Sequence, residues 1–185
     1  MARTPSTMVE LGTAAPDFSL PDVSSGKEVS LGNFSDKQAL LVMFICNHCP
    51  FVISLHDGLL ALTHEYQDSP LGIVAISSND VSAYPMDGPK EMRQRAEDYK
   101  YPFPYLYDET QSVARDFDAA CTPDFFLYDQ ERKLFYRGQF DDSRPDNGIP
   151  VTGEDLRGAI EAVLNGQPAP TLQKPSLGCN IKWAV

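Results

Sequence analysis

The 185-residue sequence has no apolar run near the ~20 residues that a membrane-spanning helix requires. Its longest candidate, Ala39 to Cys46, has the length of a strand. Positive charge is also scarce: 15 Lys and Arg stand against 26 Asp and Glu, for a net charge of −11. That balance argues against nucleic acid and anionic membrane faces as partners. Internal repeats and low-complexity tracts are missing. The N-terminal stretch carries no apolar segment after Arg3 of the kind a secretory signal has, which predicts a cytoplasmic protein. Thiols are kept reduced there, and a disulfide is usually transient and catalytic. Cysteine is sparse, with four in all. A chain this long buries roughly two thirds of its unfolded surface and needs no disulfide framework, so its cysteines are available for chemistry.

What is present alternates between strand and helix patterns. Residues 15–22, APDFSLPD, read as a proline-edged strand, and 24–31 as its hairpin partner. QALLVMFI at 38–45 is a near-continuous apolar run, the pattern of a central strand buried on both faces. Phe51, Leu55, Leu59, Leu62 and Tyr66 fall at helical spacing over 51–67, with Pro50 suited to the first turn. A strand at 72–77 precedes a helix at 87–100, with Asp87 near its N-cap. A short strand follows at 103–108, a helix at 109–119 and a hairpin at 124–129 and 133–140. The last helix spans 152–166, with Thr152 as N-cap and Gly166 as C-cap. Beyond it the chain is proline-broken and irregular; residues 171–185 are expected to pack as a tail on a domain spanning 1–170. This order predicts an α/β fold with a central mixed sheet flanked by helices.

The chemistry concentrates in FICNHCPF, residues 44–51. A CxxC between a buried strand and a helix start is a strong redox signal. Cys46 falls at the end of the strand, near the helix N-terminus, where unpaired NH groups and the helix dipole favour a thiolate. Cys49 lies one turn on, on the same side, placed to resolve a mixed disulfide. Cys46 is therefore the expected nucleophile and Cys49 the less exposed resolver. A cationic His48 would lower the Cys46 pKa further and make the pair more oxidising, while Asn47 offers hydrogen-bond donors. The plainer role for His48 is a solvated cap residue.

The other cysteines leave alternatives open. Cys121 is either a further redox thiol or a small buried hydrophobe. Cys179 can reach the site, pair with Cys121 or pack with Trp183. Of the three pairings that four cysteines permit, Cys46–Cys49 is the one the spacing supports. No metal is expected: there is no second CxxC, and His56 and His64, eight apart, share no helical face suited to one ion.

APDFSLPD, FICNHCPFV, VAISSND, YPFPYLYDETQSVA, CTPDFFLYD, YRGQFDDSRPDN and PSLGCNIKW together resemble the thioredoxin-like proteins of the alkyl hydroperoxide reductase/thiol-specific antioxidant superfamily, in particular its peroxiredoxin-like, CxxC-containing branch. The resemblance implies a thioredoxin fold with an N-terminal hairpin extension. It also implies that Thr122 leads into a cis Pro123 facing the CxxC, shaping a substrate groove. It calls for no cofactor. Its partners would be a disulfide-containing protein or small molecule and a thiol reductant such as thioredoxin or glutathione. Two departures carry weight. Peroxiredoxins place Pro and Thr or Ser upstream of their peroxidatic cysteine, where this chain has Val42 and Cys46, and they use an arginine, for which Arg137 and Arg144 are the candidates. Thioredoxins keep a Trp and a buried Asp where this chain has Ile45 and Leu40, so Asp124, Asp80 and Glu65 become candidates for the proton acceptor of Cys49. The loop DDSRPDN (141–147) does not match a calcium loop and reads as solvated. The expected function is thiol–disulfide oxidoreduction; a hydroperoxide-reducing thiol peroxidase and a redox-silent binding module are the alternatives.

Overall fold

The computed structural model describes residues 3–184. In chain order the elements are β1 (Arg3–Pro5), β2 (Ser19–Pro21), β3 (Glu28–Ser30), β4 (Ala39–Phe44), α1 (Pro50–Tyr66), β5 (Leu71–Ser77), α2 (Pro89–Asp98), β6 (Tyr105–Tyr107), α3 (Ser112–Asp116), β7 (Cys121–Thr122), β8 (Asp124–Tyr128), β9 (Leu134–Gly138), α4 (Glu154–Leu164) and β10 (Leu177–Asn180). Short 3-10 turns occupy Leu31–Phe34 and Pro85–Asp87. The central sheet has the order β6-β5-β4-β8-β9. β4, β5 and β6 run parallel, while β8 and β9 run antiparallel. The fold is α/β, with a mixed sheet flanked by helices.

β4 earns its central place by composition. Every residue of ALLVMF is buried, and the alternate side chains enter two different layers. Leu41 and Met43 join Leu55, Leu59 and Leu62 of α1, Met92 of α2 and Leu156 and Ile160 of α4. Leu40, Val42 and Phe44 join Phe18, Leu20, Val113 and Phe117 on the other side. Each fully buried Leu or Phe contributes roughly 1.5–3 kcal/mol of transfer free energy, so β4 is a fixed floor for whatever its carboxyl end carries.

Three expectations need correction. Asp87 does not cap α2: the N-cap is Gly88, and Asp87 closes the preceding 3-10 turn with its carboxylate turned inward. At α4 the N-cap is Gly153, in a left-handed conformation that suits glycine, and Thr152 lies one residue outside. The turn is held by Asp141, whose carboxylate accepts from Thr152 N at 2.6 Å and Gly153 N at 2.7 Å. Asp141 is therefore a buried clamp within a loop expected to be solvated. Third, the tail is not wholly irregular. β10 pairs antiparallel with β1 on one side and β7 on the other.

Candidate redox site

β4 ends at Phe44, and Ile45 still donates to Ile76 O at 3.0 Å. Beyond it the chain leaves the sheet and turns into α1, whose N-cap is Cys49 and whose N1 residue is Pro50. The helix starts where Pro50 placed its first turn, so its N-cap is the second cysteine and Cys46 lies three residues before it. Both sulfurs are nearly enclosed: Cys46 is 2% exposed and Cys49 0%.

The β4–β8 register sets Phe44 opposite Asp124, which carries Thr122 and Pro123 just past the end of β4. The Thr122–Pro123 peptide is cis. Thr122 touches both sulfurs. Its hydroxyl is 3.5 Å from Cys46 Sγ, and its carbonyl oxygen accepts from Cys49 Sγ at 3.1 Å.

His48 faces away from this contact. Its Nδ1 lies 2.6 Å from Asp87 Oδ2 but 3.9 Å from Cys46 Sγ. Its ring stacks on Tyr84 at 4.8 Å, and its side chain is 26% exposed. Asp87 is fully buried and meets four donors: Asn47 N at 2.8 Å, His48 N at 3.2 Å, His48 Nδ1 and Asn79 Nδ2 at 2.8 Å. Asn47 donates to Met86 O at 2.9 Å and accepts from Tyr105 OH at 3.2 Å, so it pins the loop instead of serving a sulfur. The expected stabilisation of a Cys46 thiolate by a His48 cation is accordingly offset, because a carboxylate stands at that imidazole.

Protonation follows from these contacts. The hydrogen bond between the two cysteines is the largest influence on both. It pulls Cys49 down to about 4 and pushes Cys46 up, where burial and the charge of Asp87 add to the rise. The pair therefore gives up one proton easily and the second only with difficulty, a property of the pair as a unit. The remaining proton therefore sits on Cys46, donated toward Cys49, and has a second seat on Cys49 toward the Thr122 carbonyl.

A family model described as Redoxin matches residues 10–153. The chain belongs to the redoxin family. Two solved structures are similar over nearly their whole length. An uncharacterized conserved protein from Geobacillus kaustophilus is 52% identical, with a TM-score of 0.97 over 100% of this chain and 97% of that one. A hypothetical protein from Sinorhizobium meliloti is 51% identical, with a TM-score of 0.96 over 98% and 99%. The thioredoxin domain of a thiol-disulfide oxidoreductase from Bacteroides vulgatus is 21% identical, with a TM-score of 0.65 over 85% and 99%, a likeness of fold. No curated protein matches. The redoxin is a thioredoxin-like protein of the alkyl hydroperoxide reductase/thiol-specific antioxidant type.

The redoxin's remaining candidates fall in different places. Cys179 is brought to the site: it sits opposite Thr122 in the β10–β7 register and is in hydrogen-bond contact with Cys49. Cys121, next along β7, alternates to the other side and contacts Pro123 O at 3.5 Å; burial, then the charge of Asp124, pushes its thiol up. The proposed proton acceptors do not reach Cys49. Asp124 shares the Phe44 side of the sheet, opposite α1. Asp80 accepts from Ser82, and Glu65 pairs with Arg157. Both arginines are engaged elsewhere, Arg137 with Gln173 at 2.7 Å and Arg144 with Asp141 O at 2.7 Å and Gln139. Asp87 is the carboxylate that the sequence reading missed, since its turn-and-proline setting looked like a helix cap. Cys46, His48 and Asp87 place ligand atoms within 4.8 Å of one another. The 2.6 Å His48–Asp87 contact is shorter than the roughly 3.3 Å that separates two ligands around tetrahedral zinc, so this donor set fits a hydrogen-bond chain better than an ion.

Proposed function

We propose that this redoxin is a thiol–disulfide oxidoreductase whose working pair is Cys46 and Cys49. The observation that carries the reading is Thr122 in contact with both sulfurs, one through its hydroxyl and the other through its carbonyl. Moving the shared proton onto Cys49, where Thr122 O accepts it, leaves Cys46 as a thiolate 3.9 Å from Nδ1 of the partly exposed His48. Cys46 attacks one sulfur of a substrate disulfide and expels the other as a thiolate, which takes up a proton. Cys49 then loses its proton and attacks Cys46, releasing the second substrate thiol. The pair ends as a disulfide, and a thiol reductant such as thioredoxin or glutathione restores it. The substrate is a protein or small-molecule disulfide, and the cytoplasm suits such a cycle. The peroxidase alternative has less support, because neither candidate arginine is placed at a sulfur.

The test follows reduction of a small aromatic disulfide by its coloured thiol product, with a glutathione recycling system. Cys46→Ser should abolish turnover, and Cys49→Ser should accumulate substrate trapped on Cys46. Substrate trapped on Cys49 in the Cys46→Ser variant with turnover retained would reverse the roles. Consumption of hydrogen peroxide faster than disulfide reduction, lost on removing either cysteine, would replace the proposal with the peroxidase reading.

A further inference from the structure

Cys179 is held in the site by the whole of β10. The strand is anchored on both sides of the thiol. Ser176 Oγ donates to Pro123 O at 2.7 Å, Ile181 N to Ala120 O at 3.1 Å, and Lys182 N to Asn79 Oδ1 at 2.8 Å. Gly178 sets the approach: a Cβ there would lie 2.0 Å from Thr122 O and 2.6 Å from Thr122 C. Directly opposed residues on paired strands present their side chains to the same face, so Cys179 and Thr122 share the face that meets the CxxC. Cys49 Sγ is consequently in contact with Cys46, with the Thr122 carbonyl and with Cys179. Cys179 is 3% exposed, out of reach of bulk oxidants but beside an interior sulfur.

We propose that Cys179 is a third redox thiol of the site, which exchanges with the Cys46–Cys49 disulfide by attacking Cys49 and moves the bridge to Cys49–Cys179. The Cys46–Cys49 bond breaks and its electron pair goes to Cys46 Sγ. The Cys49–Cys179 bond forms, and the proton of Cys179 passes to Cys46 or to water. The exchange is redox-neutral; the oxidising equivalent entered with the disulfide substrate that made the first bridge, so the inference rests on the function proposed above. Redox state gates it. In the dithiol form burial, then the hydrogen bond and charge of Cys49, pushes Cys179 up to about 12 and keeps it a bystander. Once Cys49 is bridged to Cys46 it carries neither charge nor proton, and its share of that restraint disappears while burial remains. The exchange returns Cys46 to its thiolate, ready for a second substrate, and ties β10 covalently to α1.

The experiment is disulfide mapping by mass spectrometry of the full chain, oxidised with oxidised glutathione and quenched in acid. In wild type, Cys49–Cys179 should appear beside Cys46–Cys49 and vanish in Cys179→Ser. In Cys49→Ser, glutathione should stay on Cys46 with no bridge to Cys179. A Cys49→Ser protein that bridges Cys46 to Cys179, or a wild type that bridges Cys49 to Cys121 instead, overturns the proposal. If Cys49→Ser does not fold, the wild-type map decides: complete Cys46–Cys49 with no Cys49–Cys179 overturns it. Formation of Cys49–Cys179 in a wild type that shows no catalytic turnover of the aromatic disulfide would instead count against the proposed function alone.

Discussion

An imidazole and a carboxylate flank Cys46, and their order along the hydrogen-bond chain sets what the sulfur feels. His48 is nearer in sequence, yet its Nδ1 is 2.6 Å from Asp87 and 3.9 Å from Cys46 Sγ. Asp87 is buried, and its charge works against a Cys46 thiolate alongside the larger effects of Cys49 and burial. Replacing Asp87 by Asn removes that charge while keeping the shape. The reduced pair becomes easier to hold as thiolate, and the protein becomes a stronger oxidant, with a potential higher by on the order of 30 mV, about 1.4 kcal/mol for two electrons. His48→Ala leaves Asp87 facing Cys46 without its partner and should lower the potential. Titration against glutathione buffers measures both; a potential in Asp87→Asn equal to or below wild type would refute the account. The CxxC was legible because strand, cysteines and helix start are neighbours in sequence; Thr122–Pro123, 73 residues away, was placed only by the family resemblance. Asp87 was not, because a 3-10 turn brings it to His48 from 39 residues away, and nothing local marks a carboxylate between two prolines as inward-facing.

At the scale of elements, the alternating pattern placed β4, α1, β5 and α4 to within a residue or two, since each carries its own apolar periodicity. β10 escaped because its ladder partners are residues 3–5 and 121–122, remote in sequence, and the prolines ahead of it read as loop. Its fit depends on one missing side chain. Gly178→Ala drives a Cβ into the Thr122 carbonyl, and a backbone contact of 2.0 Å cannot be relieved by a rotamer change. Overpacking of this kind costs about 1–3 kcal/mol. For a chain of this size that lowers Tm by roughly 2–4 °C per kcal/mol. The damage should be greatest locally: hydrogen exchange should accelerate more at 177–181 than in the centre of α1. Equal acceleration in both places, or none in β10, would show that β10 is not held by this contact.

For the whole molecule, the two layers on either side of β4 differ in what they enclose. One holds the CxxC. The other holds Asp124 beside Phe44 and Phe126, with Oδ1 lacking a hydrogen-bond partner among the described residues. Burial pushes the Asp124 carboxyl up to about 8. The sign of its effect on stability is fixed by linkage. Between the ordinary aspartate value near 4 and the folded value near 8, the native protein keeps a proton that the unfolded chain has released. Stability therefore falls as pH rises through that window and levels off above it. Cys49, pulled down to about 4, acts in the opposite direction over an overlapping range, so the wild-type profile alone does not isolate Asp124. Asp124→Asn does: the amide cannot ionise, and Cys49 is common to both proteins. The stability of the variant minus that of wild type, from urea unfolding, should rise between about pH 5 and 8 by up to about 1.4 kcal/mol per pH unit. A pH-independent difference would mean that Asp124 is already ionised in the folded protein at neutral pH, with its charge met inside the Phe44 layer.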